Sequence, residues 1–127
     1  MHTLGISLQR VEPGLVELAL THDPALTQQH GFLHAGIVST ALDSACGYAA
    51  FSLMAADAAV LSVEFKVNLL APARGLRFRC VAHVVRPGRT ITVCEARAWA
   101  IHDDTETLVA MMTGTMMAVV DRPGIEH

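Results

Sequence analysis

With 127 residues, 52% of them apolar and 17% charged, and a net charge of −3, the chain has room for one domain with a modest core and not for two. No basic run or aromatic-and-basic stripe is present, which argues against nucleic acid as a partner. Asp43 and Asp57 interrupt the best apolar stretch, which argues against a membrane span.

So high an apolar fraction in so small a domain implies that a partner subunit covers part of the surface. The first twenty residues alternate without an apolar core segment and so do not read as a secretory signal. Cys46, Cys80 and Cys94 are odd in number, widely spaced and set in apolar patterns, as reduced core residues of a cytoplasmic protein would be. A single domain over residues 1–120 is expected, with a loose tail at 121–127.

Along the chain, Gly5 to Val11 and Leu15 to Leu20 flank the turn signal Glu12-Pro13-Gly14 and predict a hairpin. Residues 21–33 are polar and turn-like. After Gly36 come eighteen residues without proline and with one charge, as far as Met54, which predict a helix of about five turns. At helical spacing, Ile37, Val38, Ala41, Ala45, Tyr48 and Ala49 form an apolar side. Gly36, Ser39, Thr40, Asp43, Cys46, Gly47 and Ala50 form a side of small residues around the carboxylate. A helix without a strongly polar face is expected to be buried all round. Two readings of Asp43 then stand side by side: a functional carboxylate in an apolar place, or one that sits at a wet edge or bonds a neighbouring hydroxyl. The first amides of this helix, with Gly31 and Gly36 loosening the backbone around His34, suit a developing oxyanion, though an ordinary tight turn into a helix reads the same way.

Four strands follow. Leu61, Val63, Phe65, Val67 and Leu69 alternate with Ser62, Glu64, Lys66 and Asn68, which puts Ser62 on the polar face, and Pro72 and Gly75 close the strand. In Leu76 to Val85, Leu76, Phe78, Cys80, Ala82 and Val84 oppose Arg77, Arg79 and His83. Arg86-Pro87-Gly88-Arg89 turns the chain into Thr90 to His102, whose Glu95 and Arg97 are expected to meet the preceding strand's arginines. His102-Asp103-Asp104 is a loop, and Thr107 to Val120 is a last strand, apolar on both faces and so expected to be covered on both. Two strands, one long helix and four closely spaced strands make an α+β domain in which one helix packs lengthwise on an antiparallel sheet.

His30 and His34 are four residues apart, a spacing that can bind zinc on a helix, but Gly31 lies between them and no third ligand is in sequence reach. No metal and no cofactor are expected. Ser39 and Ser44 lack a nucleophile elbow with a paired histidine.

The run Gln28-Gln29-His30-Gly31-Phe32-Leu33-His34-Ala35-Gly36, with Asp43 nine residues past His34, resembles a known motif. So do Leu61-Ser62-Val63-Glu64, Leu70-Ala71-Pro72 and Gly88-Arg89-Thr90. Together they resemble the hot-dog-fold acyl-CoA thioesterases of the phenylacetate-degradation type, whose motif has an asparagine and a glycine, then Leu-His-Gly-Gly and the aspartate. The resemblance spans nearly the whole chain. It implies a hot-dog fold, one long central helix wrapped by a curved antiparallel sheet, and hydrolysis of an acyl-CoA thioester. It also implies that Asp43 activates water or attacks the thioester carbonyl itself, that Ser62 helps to hold the water, and that the Ala35 amide polarises the carbonyl oxygen beside His34. Gln28, Gly36 and Arg89 fall at substrate-binding positions, Arg89 towards coenzyme A phosphates. Ala35 replaces the usual glycine, keeping the N–H but adding a methyl group, and Gln28 replaces the usual asparagine. Two alternatives share the same architecture: a hydratase or dehydratase, whose histidine-bearing motifs are not evident, and a non-catalytic acyl-CoA binding module.

Ala35 and Asp43, eight residues apart, stand about 12 Å apart along a helix, too far to serve one carbonyl within one chain. A homodimer with two shared sites is therefore expected, with apolar outer sheet faces pairing dimers into a tetramer.

Overall fold

The computed structural model describes residues 5–21, 34–74 and 77–120. Its elements are β1 (Ile6–Glu12), β2 (Leu15–Thr21), α1 (Ala35–Phe51), β3 (Ala59–Leu69), β4 (Arg77–Arg86), β5 (Ile91–His102) and β6 (Thr105–Val119). All six strands join one antiparallel sheet in the order β1-β2-β4-β5-β6-β3, and α1 packs along one face of it. This is the hot-dog arrangement that the element order and the family motif led one to expect. Residues 22–33 of the polar run before the helix, Gly75-Leu76 and the tail at 121–127 lie outside the described residues, while Thr21 ends β2.

Small side chains let the helix sit close to the sheet. Ala41, Ala45 and Ala49 are fully buried on α1, and Cys94, Ala96, Ala98 and Ala100 form the facing row of central strand β5. Larger groups fill the flanks: Val16, Leu18 and Leu20 from β2, Phe78 from β4, Met112 and Met116 from β6. Leu42 is the large residue that the helix drives into this core, and truncating such a side chain to alanine costs about 2–5 kcal/mol.

The helix is buried on one side only, which corrects the expectation from its composition. Cys46 and Ala50 belong to the buried side, whereas Gly36, Thr40, Tyr48 and Phe51 are exposed. Apolar periodicity misplaced this boundary because alanine and glycine carry little information about direction. The helix also stops a turn earlier than expected, where the hydroxyl of Ser52 accepts from the Gly14 N–H (2.8 Å) and donates to the Ala49 carbonyl (2.7 Å). Gly14, at φ +77°, is the residue the β1–β2 turn requires, so one serine ties the helix end to that turn.

β3 departs from simple alternation. Its pairing with β6 runs Val60↔Ala118, Leu61↔Met117, Ser62↔Met116, and then slips by one residue to Glu64↔Thr115 and Phe65↔Gly114. The extra residue, Val63, is a β-bulge. Directly paired residues share a face, and Met116, Gly114 and Met112 face the helix. Val60 and Ser62 therefore face inward before the bulge, and Phe65 and Val67 after it. Ser62 is not on the polar face as alternation predicted, and Leu61 is not on the face of Phe65.

The outer-face charges also pair differently from expectation. Glu95 stands opposite His83 and meets Arg97 of its own strand at 3.3 Å. Arg79 of β4 is held instead by Glu106 (2.8 Å) and Glu17 (3.4 Å), with its guanidinium over the Trp99 ring, and the Glu106 carboxylate keeps it above the usual arginine range. The outer face of β6 is only half covered in the single chain, not closed on both sides.

Candidate active site

The helix begins with an unusual cap. His34 is extended (φ −63°, ψ 137°) and its Nδ1 accepts from the Gly36 N–H at 3.0 Å. Its carbonyl takes the N–H groups of Ile37 (2.9 Å) and Val38 (3.3 Å). Nδ1 must carry a lone pair to accept, so this geometry assigns the ring proton to Nε2. With Gly36 satisfied, the first-turn amide with no partner among the described residues is that of Ala35, at the positive end of the helix dipole. No acidic residue occupies that first turn, and Ala35 is exposed.

Two turns along, the half-buried Asp43 accepts a hydrogen bond at Oδ1 from the Ser62 hydroxyl at 2.8 Å. The bulge at Val63 makes this contact possible by turning Ser62 towards the helix. The pair occupies one oxygen of the carboxylate, and Oδ2 has no donor among the described residues. Ser62 also lies 3.5 Å from the Met116 sulfur. The arrangement is a proton acceptor with one fixed hydroxyl neighbour, and by its chemistry it can take a proton from water. Of the two readings of Asp43, this contact is the one in which the carboxylate bonds a neighbouring hydroxyl.

Ser62 on β3, Met116 on β6 and Thr92 on β5 form one row across the sheet. Thr92 is a buried polar residue, and its hydroxyl accepts from the Gly88 N–H (3.4 Å) in the β4–β5 turn. A side chain at Gly88 would place its Cβ 2.0 Å from the Ile91 carbonyl oxygen, so the turn needs glycine. Arg89, exposed in this turn, therefore sits beyond the same end of the sheet as the Asp43–Ser62 pair.

The structure thus brings Asp43 and Ser62 together, makes His34 the helix cap, and leaves Ala35 and Arg89 apart from the pair. Gln28 and His30 lie outside the described residues. Sequence reasoning missed Met116 beside Ser62, since a methionine in an apolar strand carries no signal beyond core packing. It also missed the Nδ1 cap, because histidine is not among the preferred capping residues.

The three cysteines are buried free thiols. Burial pushes the Cys80 thiol up to about 12. A hydrogen bond with Cys94, and then burial, push the Cys46 thiol up as well. Neither is a thiolate nucleophile at neutral pH. Among the described residues, no three His, Cys, Asp or Glu side chains gather as a metal site, and no helix is long and apolar enough to cross a membrane.

The family model of the thioesterase superfamily matches residues 30–107. A thioesterase family protein from Silicibacter pomeroyi, known from its crystal structure, is 62% identical, with 94% of this chain and 88% of that one covered and a TM-score of 0.93. The medium/long-chain acyl-CoA thioesterase YigI of Salmonella typhimurium is 25% identical over 129 residues, covering 90% of this chain and 81% of YigI. The PaaI protein from the phenylacetic acid degradation operon of E. coli is 19% identical, with a TM-score of 0.82 over 93% of this chain and 82% of its own, a likeness of fold alone.

Proposed function

We propose, on the premise that this chain belongs to the thioesterase superfamily and is a thioester hydrolase, that its substrate is a small or medium acyl-CoA, aliphatic or aromatic. The site is of the phenylacetate-degradation type. The observation that carries this reading is the Asp43–Ser62 contact at 2.8 Å, a carboxylate with one oxygen anchored and the other without a donor among the described residues.

In this reading water is the nucleophile. Asp43 Oδ2 takes a proton from it as its oxygen adds to the thioester carbonyl carbon, and the Ala35 amide receives the charge that develops on the carbonyl oxygen. As the intermediate collapses, the carbon–sulfur bond breaks and the proton returns to the departing thiolate. The products are the free acid and coenzyme A, and Asp43 is regenerated. Ser62 keeps the carboxylate in one orientation and lends its oxygen to the water. His34, by capping Gly36, holds the first turn so that the Ala35 amide points outward. Arg89 supplies a cation for a phosphate of coenzyme A.

Ala35 and Asp43 are eight helical residues apart, about 12 Å along the axis, so one chain does not bring both to one carbonyl. Two copies related by a two-fold axis do, if the start of one helix lies beside the middle of the other. Edge strand β3 supports this arrangement. Its unpaired edge is apolar, with Leu61, Val63, Phe65 and Leu69 all exposed in the single chain. The half-covered outer face around Met111, Met117 and Trp99 would then be where dimers pair.

Release of free thiol from a panel of acyl-CoA thioesters tests the reading. The expected result is turnover of at least one short or medium acyl group. Tight binding of intact acyl-CoA with no thiol released would overturn it and leave a binding module.

A further inference from the structure

Resting on the reading of Asp43 and Ser62 as the reacting pair, we propose that Met116 is a positioning residue that keeps the Ser62 hydroxyl on the Asp43 carboxylate. A serine hydroxyl turns among three staggered wells and has a single proton to give. Something must hold it in the well that faces Asp43, and nothing that competes for the proton may stand in the others. Met116 meets both needs. It is fully buried, pairs directly with Ser62 across β3 and β6, and its sulfur lies 3.5 Å from the Ser62 oxygen. A thioether is a weak acceptor, so the proton goes to the carboxylate 2.8 Å away. Its buried bulk also fills the inner side of the hydroxyl, where a water would accept the same proton strongly.

Gly114 explains how the methionine reaches this position. A Cβ built there would lie 3.1 Å from the Met116 methyl carbon, with the Cys46 sulfur and Phe65 Cβ both at 3.8 Å. The methionine tip therefore occupies the space that the absent side chain leaves, between the helix and β3. Glycine in a strand interior weakens the strand, and a close approach of another group is the usual reason for one. Gly114, Met116 and the Val63 bulge thus act on one hydroxyl: the bulge turns it inward, the glycine makes room, and the thioether presses from behind.

The test uses Met116→Leu and Gly114→Ala, alone and combined with Ser62→Ala. Among the described residues neither shares a hydrogen bond with Asp43, and the one tight contact that a Gly114→Ala Cβ would make is with the methionine tip. Each is expected to lower kcat about tenfold with KM changed less than about twofold, the signature of lost transition-state positioning. In the Ser62→Ala background, each should change kcat by less than about twofold, because the hydroxyl that they position is gone. Crystal structures of the two single variants should show the Ser62–Asp43 distance beyond hydrogen-bonding range. A retained 2.8 Å contact, or an equal kcat loss with and without Ser62, would overturn the proposal and make Met116 ordinary packing. If the parent protein releases thiol from no thioester, the functional reading fails instead, and the crystal structures still decide the role of Met116.

Discussion

Replacing Asp43 by asparagine removes a base and little else. Asparagine has the same shape, its Oδ1 still accepts from the Ser62 hydroxyl that now lies at 2.8 Å, and the position is half-buried, so the fold should hold. What disappears is the oxygen that could take a proton from water. Loss of a positioned base costs about 10²-fold or more in turnover, or about 2.7 kcal/mol of barrier. Ser62→Ala sets the comparison. A hydrogen bond to a charged group contributes about 1.5–3 kcal/mol when buried. Here the serine is exposed, so the lower end applies and the loss should be about tenfold. Asp43→Asn should thus be the more damaging change, and the double variant should be little worse than Asp43→Asn alone. Thiol release under saturating acyl-CoA measures kcat, with circular dichroism and thermal unfolding as controls for the fold. Near-normal turnover in a folded Asp43→Asn protein would refute the reasoning, and a greater loss from Ser62→Ala would make serine the principal group.

Arg89→Ala should raise KM more than it lowers kcat, an effect that fades at high salt; an unchanged KM at low ionic strength would make Arg89 an ordinary turn residue. Gly88→Ala forces a Cβ against the Ile91 carbonyl oxygen, 2.0 Å away, and should destabilise the fold by about 2 kcal/mol or more, read as a lower Tm. Because burial raises the Cys80 thiol to about 12, its proton is held more tightly in the folded state than in the unfolded one. The resulting stability is complete below the unfolded value near 9 and declines as pH rises towards 12, by about 1.4 kcal/mol per pH unit, so Cys80→Ala should flatten the pH dependence of unfolding over that window. Mixing inactive Asp43→Asn with a variant carrying a bulky side chain at Ala35 should restore one intact site per exchanged dimer. No recovery despite proven exchange would place both groups in one chain.

Much of the fold was legible because period carried it. β4 alternates Phe78, Cys80 and Ala82 against Arg77, Arg79 and His83 without interruption, and its burial follows that pattern. The turns were marked by residues with a backbone reason to be there: Gly14 at positive φ, Gly88 against a carbonyl, and Asp103 in the left-handed region between β5 and β6. The open side of α1 was illegible for the converse reason. Small residues occur on both its faces, Ala35 and Gly36 outside and Ala41, Cys46 and Ala50 inside, so composition could not say that Cys46 turns inward while Tyr48 turns out.

The site was legible where it rested on residue type and illegible where it rested on register. Asp43 stands out as the one carboxylate in a long apolar helix, and the family motif pointed to Ser62. Counting along β3 nevertheless put that serine on the wrong face, because Leu61, Val63 and Phe65 alternate so cleanly with polar residues. Val63 is apolar and β-branched, ordinary for a strand, and nothing in its chemistry marks it as the residue left unpaired. The bulge is a property of two strands together: Ser62 can face the helix while Phe65 and Val67 do too only if one residue of β3 has no counterpart on β6. A single-strand reading had to place either Ser62 or Phe65 wrongly. The irregularity that defeats the pattern is also the feature that brings a hydroxyl to the carboxylate.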